Sequence, residues 1–422
     1  MAKLKHTEYD VAVIGGGPAG MMAAGRAAES GARVVLIEKN EKLGEKLLIT
    51  GGGRCNVTNA TFDNRALLEK FKTRGKFLFS TFAQHSVQDT LDFFNSRGMA
   101  TRVENENRVF PATQMAKSVW DVLVQYMKKN GVDVVTGLSA KGFHVRDGKI
   151  VGLNTDRETI VAGSYILATG GTSHPETGST GEGFEWLKKA GHTINEPSAA
   201  LVPVKIKERW VHELSGVSHQ HVKLSVIQNG KKVESKIGRM VFTHFGMSGP
   251  LVLNMSRDIG IWLDNGPIEL SIDLLPDVLP DLVDSAILEM FGKNLNKKIK
   301  NCLKEIIPPA FVETIITLSG LDKEKEVNLI SREERKELTR VLKDMRMTPT
   351  GFVDQKEAIV ASGGVELKEI DFKTMQSLLI PNLYLIGDVL DIERPSGGYS
   401  LQLCWTTGWV AGTHAGGVKK KK

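Results

Sequence analysis

The stretch YDVAVIGGGPAGMMAAGRAAESGARVVLIE, residues 9–38, sets the fold of this chain. A short apolar run leads into a G-x-G-x-x-G motif at Gly15, Gly17 and Gly20, and an Ala-rich segment and a second apolar run ending at Glu38 follow it. A glycine-rich turn alone is weak evidence. Because the preceding strand, the following helix and the distal acid are all present, the stretch predicts a dinucleotide-binding βαβ unit.

Each part of the motif has a physical reason. Gly15 permits the tight turn off the strand, Gly17 lets the backbone approach a pyrophosphate, and Gly20 lets the helix pack closely against the sheet. The pyrophosphate meets free N–H groups and the positive end of the helix dipole. Glu38 can accept hydrogen bonds from ribose hydroxyls and would repel a 2′-phosphate, which argues against NADP at this site. These residues leave both NAD and FAD open as the nucleotide.

Composition bounds the class of protein. The chain has 422 residues, enough for two or three domains, with the apolar and charged fractions (41% and 25%) of an ordinary globular protein. Residues 419–422 supply four positive charges of a net charge of +6. Since no basic stripe with interleaved aromatic residues stands out, we expect no nucleic-acid partner.

The cysteines and the apolar runs indicate location. Cys55, Cys302 and Cys404 are too few and too far apart for a disulfide framework or a zinc site, which suits a reducing cytosol. The first ten residues lack the apolar segment of a signal peptide, and no uninterrupted apolar run is long enough to span a membrane. We therefore expect a cytoplasmic protein with no metal site and no membrane partner.

A second glycine-rich loop occupies residues 51–56, GGGRCN. Its backbone donors and the Arg54 guanidinium could contact a phosphate or a flavin edge. A redox-active dithiol at Cys55 would need a second cysteine nearby, and the next one in the sequence is Cys302. A packing or flavin-lining role is therefore predicted for Cys55.

Two later motifs favour FAD as the nucleotide. A buried-type strand ends in Thr169-Gly170-Gly171, a mark of a large flavoprotein class. Another strand ends in Gly387-Asp388, where the carboxylate can accept hydrogen bonds from ribityl hydroxyls, a group that NAD lacks. The helix that starts near Gly398 would direct its N-terminal N–H groups at the pyrimidine side of an isoalloxazine ring.

The pattern of the chain changes twice along its length. Residues 193–276 form short alternating runs typical of strands, with a possible return strand near 340–346. Residues 277–346 are helical and strongly charged, and 347–422 return to the α/β character of 1–192.

The whole chain resembles the two-dinucleotide-binding-domain flavoproteins and, within them, the YhiN/BaiN-type family of bacterial flavoproteins. The stretches that carry the resemblance are VIGGGPAG (13–20), KLLITGGGRCNVTN (46–59), ILATGGTSHPETGSTGEG (166–183), FTHFGMSGP (242–250), ASGGV (361–365), LYLIGDVLD (383–391) and GGYSLQLCWTTGWVAG (397–412). The resemblance implies an α/β Rossmann-type FAD-binding domain formed by both chain ends (1–192 and 347–422), with an inserted β-barrel-like domain and a helical subdomain.

The resemblance also implies contacts to each part of FAD. It places Gly15, Gly17, Ala19 and Gly20 at the pyrophosphate and Glu38 and Lys39 at the adenosine ribose. It places Arg54, Cys55 and Asn56 near the flavin, Ala140 at the adenine, and Thr169, Gly170 and Gly171 along the cofactor. It places Gly387 and Asp388 at the ribityl chain, and Gly398, Tyr399 and Ser400 at the isoalloxazine. One departure is visible, because the family often has Gly-Glu where this chain has Gly387-Asp388. The shorter carboxylate keeps the same chemistry.

We therefore expect an FAD-dependent oxidoreductase acting on a small organic molecule, such as a conjugated enone. Without a second complete G-x-G-x-x-G, NADH or NADPH would have to dock transiently as the donor. A flavin-dependent amine oxidase, a flavin-dependent RNA-modifying protein and a flavin-binding protein with a structural or sensory role are the alternatives. His174, His244 and Tyr399 are the candidate proton donors.

Overall fold

The computed structural model describes residues 6, 8–200, 202–353 and 360–417. The chain divides into two compact units, one formed by Met1–Ala199 with Ile359–Lys422 and the other by Ala200–Ala358. These boundaries lie seven and twelve residues after the divisions at 192/193 and 346/347 expected from the sequence. The α/β class with a Rossmann-type sheet is confirmed.

The strands are β1 (Tyr9–Ile14), β2 (Val34–Ile37), β3 (Thr58–Asn59), β4 (Thr101–Val103), β5 (Arg108–Pro111), β6 (Asp133–Val135), β7 (Ala140–Arg146), β8 (Lys149–Thr155), β9 (Thr159–Ile160), β10 (Ala162–Leu167), β11 (Ile194–Ala200), β12 (Val204–Ile206), β13 (Ser218–Gln228), β14 (Lys231–Thr243), β15 (Gly246–Ser248), β16 (Glu269–Asp273), β17 (Met345–Met347), β18 (Pro349–Phe352), β19 (Val360–Val365) and β20 (Leu383–Leu385). The helices are α1 (Pro18–Glu29), α2 (Glu45–Ile49), α3 (Asn64–Glu69), α4 (Gly75–Gln84), α5 (Val87–Asn95), α6 (Ala116–Lys129), α7 (Glu182–Lys189), α8 (Arg209–Glu213), α9 (Pro250–Asp264), α10 (Pro280–Lys293), α11 (Ile299–Cys302), α12 (Val312–Leu318), α13 (Arg332–Lys343) and α14 (Tyr399–Gly417).

A parallel sheet in the order β20-β10-β1-β2-β6 is the centre of the first unit. Its strands carry continuous apolar runs, as in β1 and β2, because both faces of a parallel sheet are covered. The carboxyl ends of β1, β10 and β20 lie side by side, so the turns that follow Ile14, Leu167 and Leu385 meet at one edge. In such sheets ligands bind at this edge.

Helix α14 packs directly on α1 through three glycines spaced four residues apart. A Cβ atom would lie 2.6 Å from the carbonyl oxygen of Ala19 at Gly408, 2.5 Å from that of Ala23 at Gly412, and 2.8 Å from that of Ala27 at Gly416. The two helix backbones are therefore in contact, which side chains on this face of α14 would prevent. This packing fixes the C-terminal segment against the first βαβ unit.

The second unit contains an antiparallel sheet in the order β17-β16-β13-β14-β15-β12-β18. Its side chains and those of helices α10 to α13 bury one common core, which includes Leu270, Ile287 and Leu338. β17 pairs with β16, so the chain returns to this sheet at Met345 after the helices. Of the helices in the described residues, none is long and apolar enough to cross a membrane.

We predict that Gly412→Ala destabilises the first unit by about 1–3 kcal/mol, because the added methyl group pushes α14 away from α1. Gly292→Ala, in α10 where no atom lies within 4 Å of a Cβ, is the matched control. It should raise stability by up to about 1 kcal/mol, the difference in helix propensity. Thermal unfolding measures both, and an unchanged midpoint for Gly412→Ala would contradict the close packing.

His85, which follows α4, is buried against α14. Its ring stacks on Trp409 at 4.7 Å between centroids, and its Nε2 lies 3.2 Å from Thr90 Oγ1. Burial lowers the pKa of His85 to about 4, although Asp89 opposes the shift. The folded protein therefore keeps this ring neutral at pH values where an unfolded chain would protonate it.

We predict that His85 weakens the fold in mild acid. Because the unfolded state binds a proton that the folded state does not, stability is complete above pH 6.5 and falls as the pH drops towards 4. Between pH 7 and pH 5 the loss is about 2 kcal/mol. Denaturant unfolding of His85→Gln should lack this loss, whereas the exposed His144→Gln control should keep it.

Candidate cofactor site

Two adjoining cavities lie at the edge where β1, β10 and β20 end. The first is lined by the turns after these strands and by α2, and the second extends from it towards β7 and α7. Ten predicted cofactor contacts line one or both: Gly15, Gly17, Ala19, Glu38, Lys39, Ala140, Thr169, Gly170, Gly387 and Asp388.

The three glycines of the first motif have different roles. Gly15 has a φ of +104°, and a Cβ there would lie 2.5 Å from the carbonyl oxygen of Ala168. A Cβ at Gly20 would lie 1.9 Å from the carbonyl oxygen of Gly15. Gly17 caps α1 ahead of Pro18, and nothing lies within 4 Å of a Cβ at that position. Gly15 and Gly20 therefore serve the fold, while Gly17 leaves space at a helix N-terminus, where a pyrophosphate fits.

Glu38 is held by the backbone at the junction of the two cavities. Its Oε2 accepts a hydrogen bond from the N–H of Gly16 at 2.7 Å, and its Oε1 accepts one from Asn40 at 2.9 Å. Each oxygen retains acceptor capacity, so the oriented carboxylate suits ribose hydroxyls. Lys39 donates to Thr180 Oγ1 at 2.8 Å and lines the second cavity together with Ala140.

Thr169 lines both cavities, but its hydroxyl does not face them. Thr169 Oγ1 is inaccessible, has no hydrogen-bond partner among the described residues and would lie 2.2 Å from a Cβ at Gly183 in α7. The open space at Gly17 and the oriented Glu38 together fit a dinucleotide.

Asp388 carries two cationic neighbours. Arg394 Nη2 is paired with its Oδ1, and Lys46 Nζ lies 3.7 Å from its Oδ2. Burial favours the neutral acid, but Arg394 and Lys46 outweigh it and hold the pKa of Asp388 below its ordinary value. The carboxylate is therefore ionised and accepts hydrogen bonds, as a contact to ribityl hydroxyls requires.

The second glycine-rich loop lies outside the cavity walls. Arg54 pairs with Glu104 at 2.6 Å and stacks on Phe110 at 4.0 Å, so its guanidinium is engaged elsewhere. Cys55 has a φ of +62° and is fully buried, and burial raises the pKa of its thiol to about 12. A thiol kept protonated in this way is a poor nucleophile, which disfavours a redox role.

Asn56 connects this loop to the start of α14. Its Oδ1 is buried without a hydrogen-bond partner in the described part of the chain, and it would lie 2.9 Å from a Cβ at Gly398. Gly398 accepts the first helical hydrogen bond, from Gln402 at 3.1 Å, so α14 begins here. Asn56 thus contacts Gly398, and Tyr399 and Ser400 follow Gly398 in the first turn of α14. Gly171 is buried in the turn after β10.

The three candidate proton donors lie in different surroundings. Tyr399 is buried with its ring edge-on to Phe71 at 6.1 Å, and burial raises its pKa. His174 is in a left-handed conformation, with its Nδ1 2.8 Å from Glu176. His244 is exposed and belongs to the other compact unit, where its ring contacts Phe245.

Sequence reasoning missed several residues of the first cavity and its surroundings, and three of them lie beside Asp388. Lys46 and Cys404 line the first cavity, and Arg394, which is not part of its lining, contacts Asp388. Lys46 precedes the second glycine loop and Arg394 precedes Gly397-Gly398, so proximity to a motif was the available signal. The position of a residue near a motif does not show which partner its side chain contacts.

A parallel sheet with this glycine motif, joined at its edge by a Gly-Asp turn and a helix start from far along the chain, defines the class of dinucleotide-binding flavoproteins. The chain belongs to the HI0933-like family, since the family's model, described as the HI0933-like protein Rossmann domain, matches residues 9–414. It is thus an FAD-dependent oxidoreductase, and the suggested YhiN/BaiN-type resemblance is confirmed.

Two relatives match almost the whole chain. The chain is 30% identical to the 3-dehydro-bile acid delta(4,6)-reductase of Clostridium scindens, over 96% of this chain and 98% of that protein. It is 31% identical to the ribosomal RNA dihydrouridine synthase of Escherichia coli, over 95% of this chain and 96% of that protein.

A solved structure shares the fold at low identity. The 3-ketosteroid delta1-dehydrogenase of Sterolibacterium denitrificans superimposes with a TM-score of 0.57 at 13% identity, covering 98% of this chain and 100% of the other. A likeness at this level supports the fold and carries no information on the substrate.

We predict that two substitutions in one motif have opposite effects. Gly17→Ala should fold like the wild type, because the methyl group meets open space, but should lose bound FAD, because that space is expected to hold the pyrophosphate. Gly20→Ala should unfold at a lower temperature, because its methyl group meets the Gly15 carbonyl. Flavin absorbance after purification and thermal unfolding distinguish the two, and full FAD occupancy in Gly17→Ala would contradict the assigned position.

Proposed function

We propose that the protein reduces a carbon–carbon double bond conjugated to a carbonyl group, with NADH or NADPH as the electron donor. One observation carries this proposal. The two relatives that match nearly the whole chain are named for delta(4,6)-reduction of a 3-dehydro bile acid and for synthesis of dihydrouridine. Although the substrates differ greatly, both reactions saturate a bond that is conjugated to a carbonyl.

The arrangement of the first unit supports FAD binding by the proposed contacts. Bound FAD would supply hydride transfer between the donor and the substrate. Gly17 and the N-terminus of α1 would hold its pyrophosphate, Glu38 its ribose, and Asp388 its ribityl hydroxyls. The N-terminus of α14 would favour negative charge on the pyrimidine side of the flavin by up to ~2 kcal/mol, on the order of 40 mV for a two-electron couple.

Reduction of a conjugated double bond also needs a proton on the carbon next to the carbonyl. We propose that Tyr399 donates it, because the residue opens α14 beside the expected isoalloxazine contacts and belongs to the same unit as the cavities. Burial raises the pKa of this phenol, so it carries its proton throughout the physiological range. His174 and His244 remain the alternative donors.

The electron donor is expected to bind transiently. In the described residues the first unit contains one parallel nucleotide-binding sheet, and the sheet of the second unit is antiparallel. A nicotinamide nucleotide would therefore have no Rossmann unit of its own. Glu38 disfavours a 2′-phosphate only at the FAD site, so it does not select between NADH and NADPH as the donor.

A second candidate is reduction of uridine in ribosomal RNA, which the identity to the Escherichia coli relative favours. The double bond of uracil is conjugated to a ring carbonyl, so the same chemistry applies to a larger substrate. The net charge of +6 is compatible with this partner, although residues 419–422 lie outside the described part of the chain. Lysines of the second unit such as Lys298, Lys300 and Lys325 are paired with carboxylates and offer little free positive charge.

An anaerobic experiment tests the proposal. The purified yellow protein is reduced with NADH or NADPH and then mixed with steroid enones, with an unmodified ribosomal RNA fragment, or with oxygenated buffer, and the oxidised protein is mixed separately with small amines. Reoxidation by an enone or by the RNA, with mass spectrometry finding two added hydrogens in the product, is the expected result. Reduction of the oxidised flavin by an amine, or reoxidation by oxygen and by neither the enones nor the RNA, would contradict it, and a protein that purifies without FAD would remove it.

We predict that Tyr399→Phe keeps FAD and its reduction by the donor, but slows reoxidation by the substrate at least about 10²-fold, the usual contribution of a general acid. Rapid-mixing absorbance measures the two half-reactions separately. His174→Gln and His244→Gln serve as parallel variants. If either histidine variant is the slow one and Tyr399→Phe is not, the proton donor has been misassigned.

A further inference from the structure

Arg394 lies where two of the predicted FAD contacts meet. Its side chain is 1% exposed, and Nη2 pairs with Asp388 Oδ1 while Nε donates to Ser400 Oγ at 3.2 Å. Nη1 donates to the carbonyl oxygen of Ile392 at 2.6 Å. Since all three guanidinium nitrogens have acceptors, the group is fixed in one orientation and links the turn after β20 to the first turn of α14.

The charges around Asp388 do not cancel. Arg394 contacts one carboxylate oxygen, and Lys46 lies on the side of the other, where its Nζ is also 3.3 Å from both Ser173 O and Ser173 Oγ. Arg394, Lys46 and Asp388 together carry a net charge of +1, and Glu176, whose carboxylate also interacts with Lys46, is exposed to solvent. Because the group is largely removed from water, this charge acts on neighbouring groups more strongly than it would at the surface.

Asp388 has a short side chain at the start of a turn. It follows Gly387, whose φ is +64°. A short side chain on this turn has little reach of its own. Arg394, six positions later, extends across to it and leaves Oδ2 on the side of Lys46 and the first cavity.

We propose that Arg394 is a positioning residue of the flavin site. It holds Asp388 and Ser400 in one geometry, and it places a fixed positive charge beside the flavin, where that charge stabilises the reduced, anionic form. This inference rests on the FAD-binding part of the proposed function and is independent of the substrate. A planar fork is required for the bridging role, and a lysine supplies the charge alone.

The test compares Arg394→Gln and Arg394→Lys with the wild type by two measurements, the FAD dissociation constant and the midpoint potential of bound FAD. We expect Arg394→Gln to weaken FAD binding at least tenfold and to shift the reduction equilibrium at least tenfold towards the oxidised form, which is about 30 mV for a two-electron couple. Arg394→Lys should weaken binding to a similar degree but keep most of the potential. Arg33→Gln, which removes an exposed cation of the same unit, should change neither.

A third variant separates positioning from folding. Without FAD, Arg394→Gln should unfold at a lower temperature, because it leaves the Asp388 carboxylate with Lys46 alone. Adding Asp388→Asn should restore the unfolding temperature, because Lys46 is then left without a buried carboxylate to compensate, while FAD binding stays weak, because neither Arg394 nor the carboxylate that it positions is present. A binding constant and potential in Arg394→Gln equal to those of Arg33→Gln would overturn the proposal, and an equal loss of potential in Arg394→Lys would overturn its electrostatic part. Failure to reduce enones or RNA would instead count against the proposed function.

Discussion

The backbone contact between α1 and α14 is the constraint on which the cofactor site depends. Gly408, Gly412 and Gly416 let α14 lie against the carbonyl groups of α1, so the helix that follows Gly398 can sit beside the helix that follows Gly17. Any side chain on that face would separate the N-termini of α1 and α14, which are expected to contact the pyrophosphate and the isoalloxazine of FAD. Trp405 adds to the anchoring by donating to the Val57 carbonyl at 2.8 Å, which ties α14 to the strand after the second glycine loop.

Hydrogen bonds and ion pairs orient the two carboxylates, Glu38 and Asp388, that the packing brings to the site. Glu38 is oriented by two backbone N–H groups, whereas Asp388 is oriented by side chains, and its cationic neighbours keep it ionised in spite of burial. Charged groups without a partner would be costly at this depth. The site therefore combines one acceptor that the backbone positions with another that depends on Arg394 and Lys46, and the second is the more sensitive to substitution.

The parts that the sequence predicted well are those where backbone conformation restricts the residue. Gly15 and Gly20 are glycines because a Cβ would collide with main-chain atoms, so the motif could be identified without a structure. Of the ten predicted contacts that line the cavities, eight lie in the turns after β1, β2, β10 and β20, whereas Ala19 belongs to α1 and Ala140 begins β7. The stripe at Gly408, Gly412 and Gly416 carried a comparable signal in its four-residue spacing, but the spacing alone does not identify the partner helix.

Side-chain pairing was the part that could not be predicted. Arg54 was expected at a phosphate or flavin edge, yet it contacts Glu104, fifty positions away, and the ring of Phe110. Arg394 instead contacts both Asp388 and Ser400, although the sequence shows it only as a residue near the Gly397-Gly398 turn. A long cationic side chain can reach several acidic side chains. Which of them it contacts depends on the packed fold rather than on the neighbouring residues in the sequence.

The contact between α1 and α14 also has a consequence for synthesis on the ribosome. Strand β1 and the first glycine motif emerge early, but their partners β20 and α14 are translated nearly 400 residues later. A nascent chain can therefore form the first βαβ unit long before it can complete the edge at which β1, β10 and β20 end together. A nascent chain would then bind the cofactor only after α14 has been translated. Prematurely terminated chains would lack the ligand that stabilises the full-length protein.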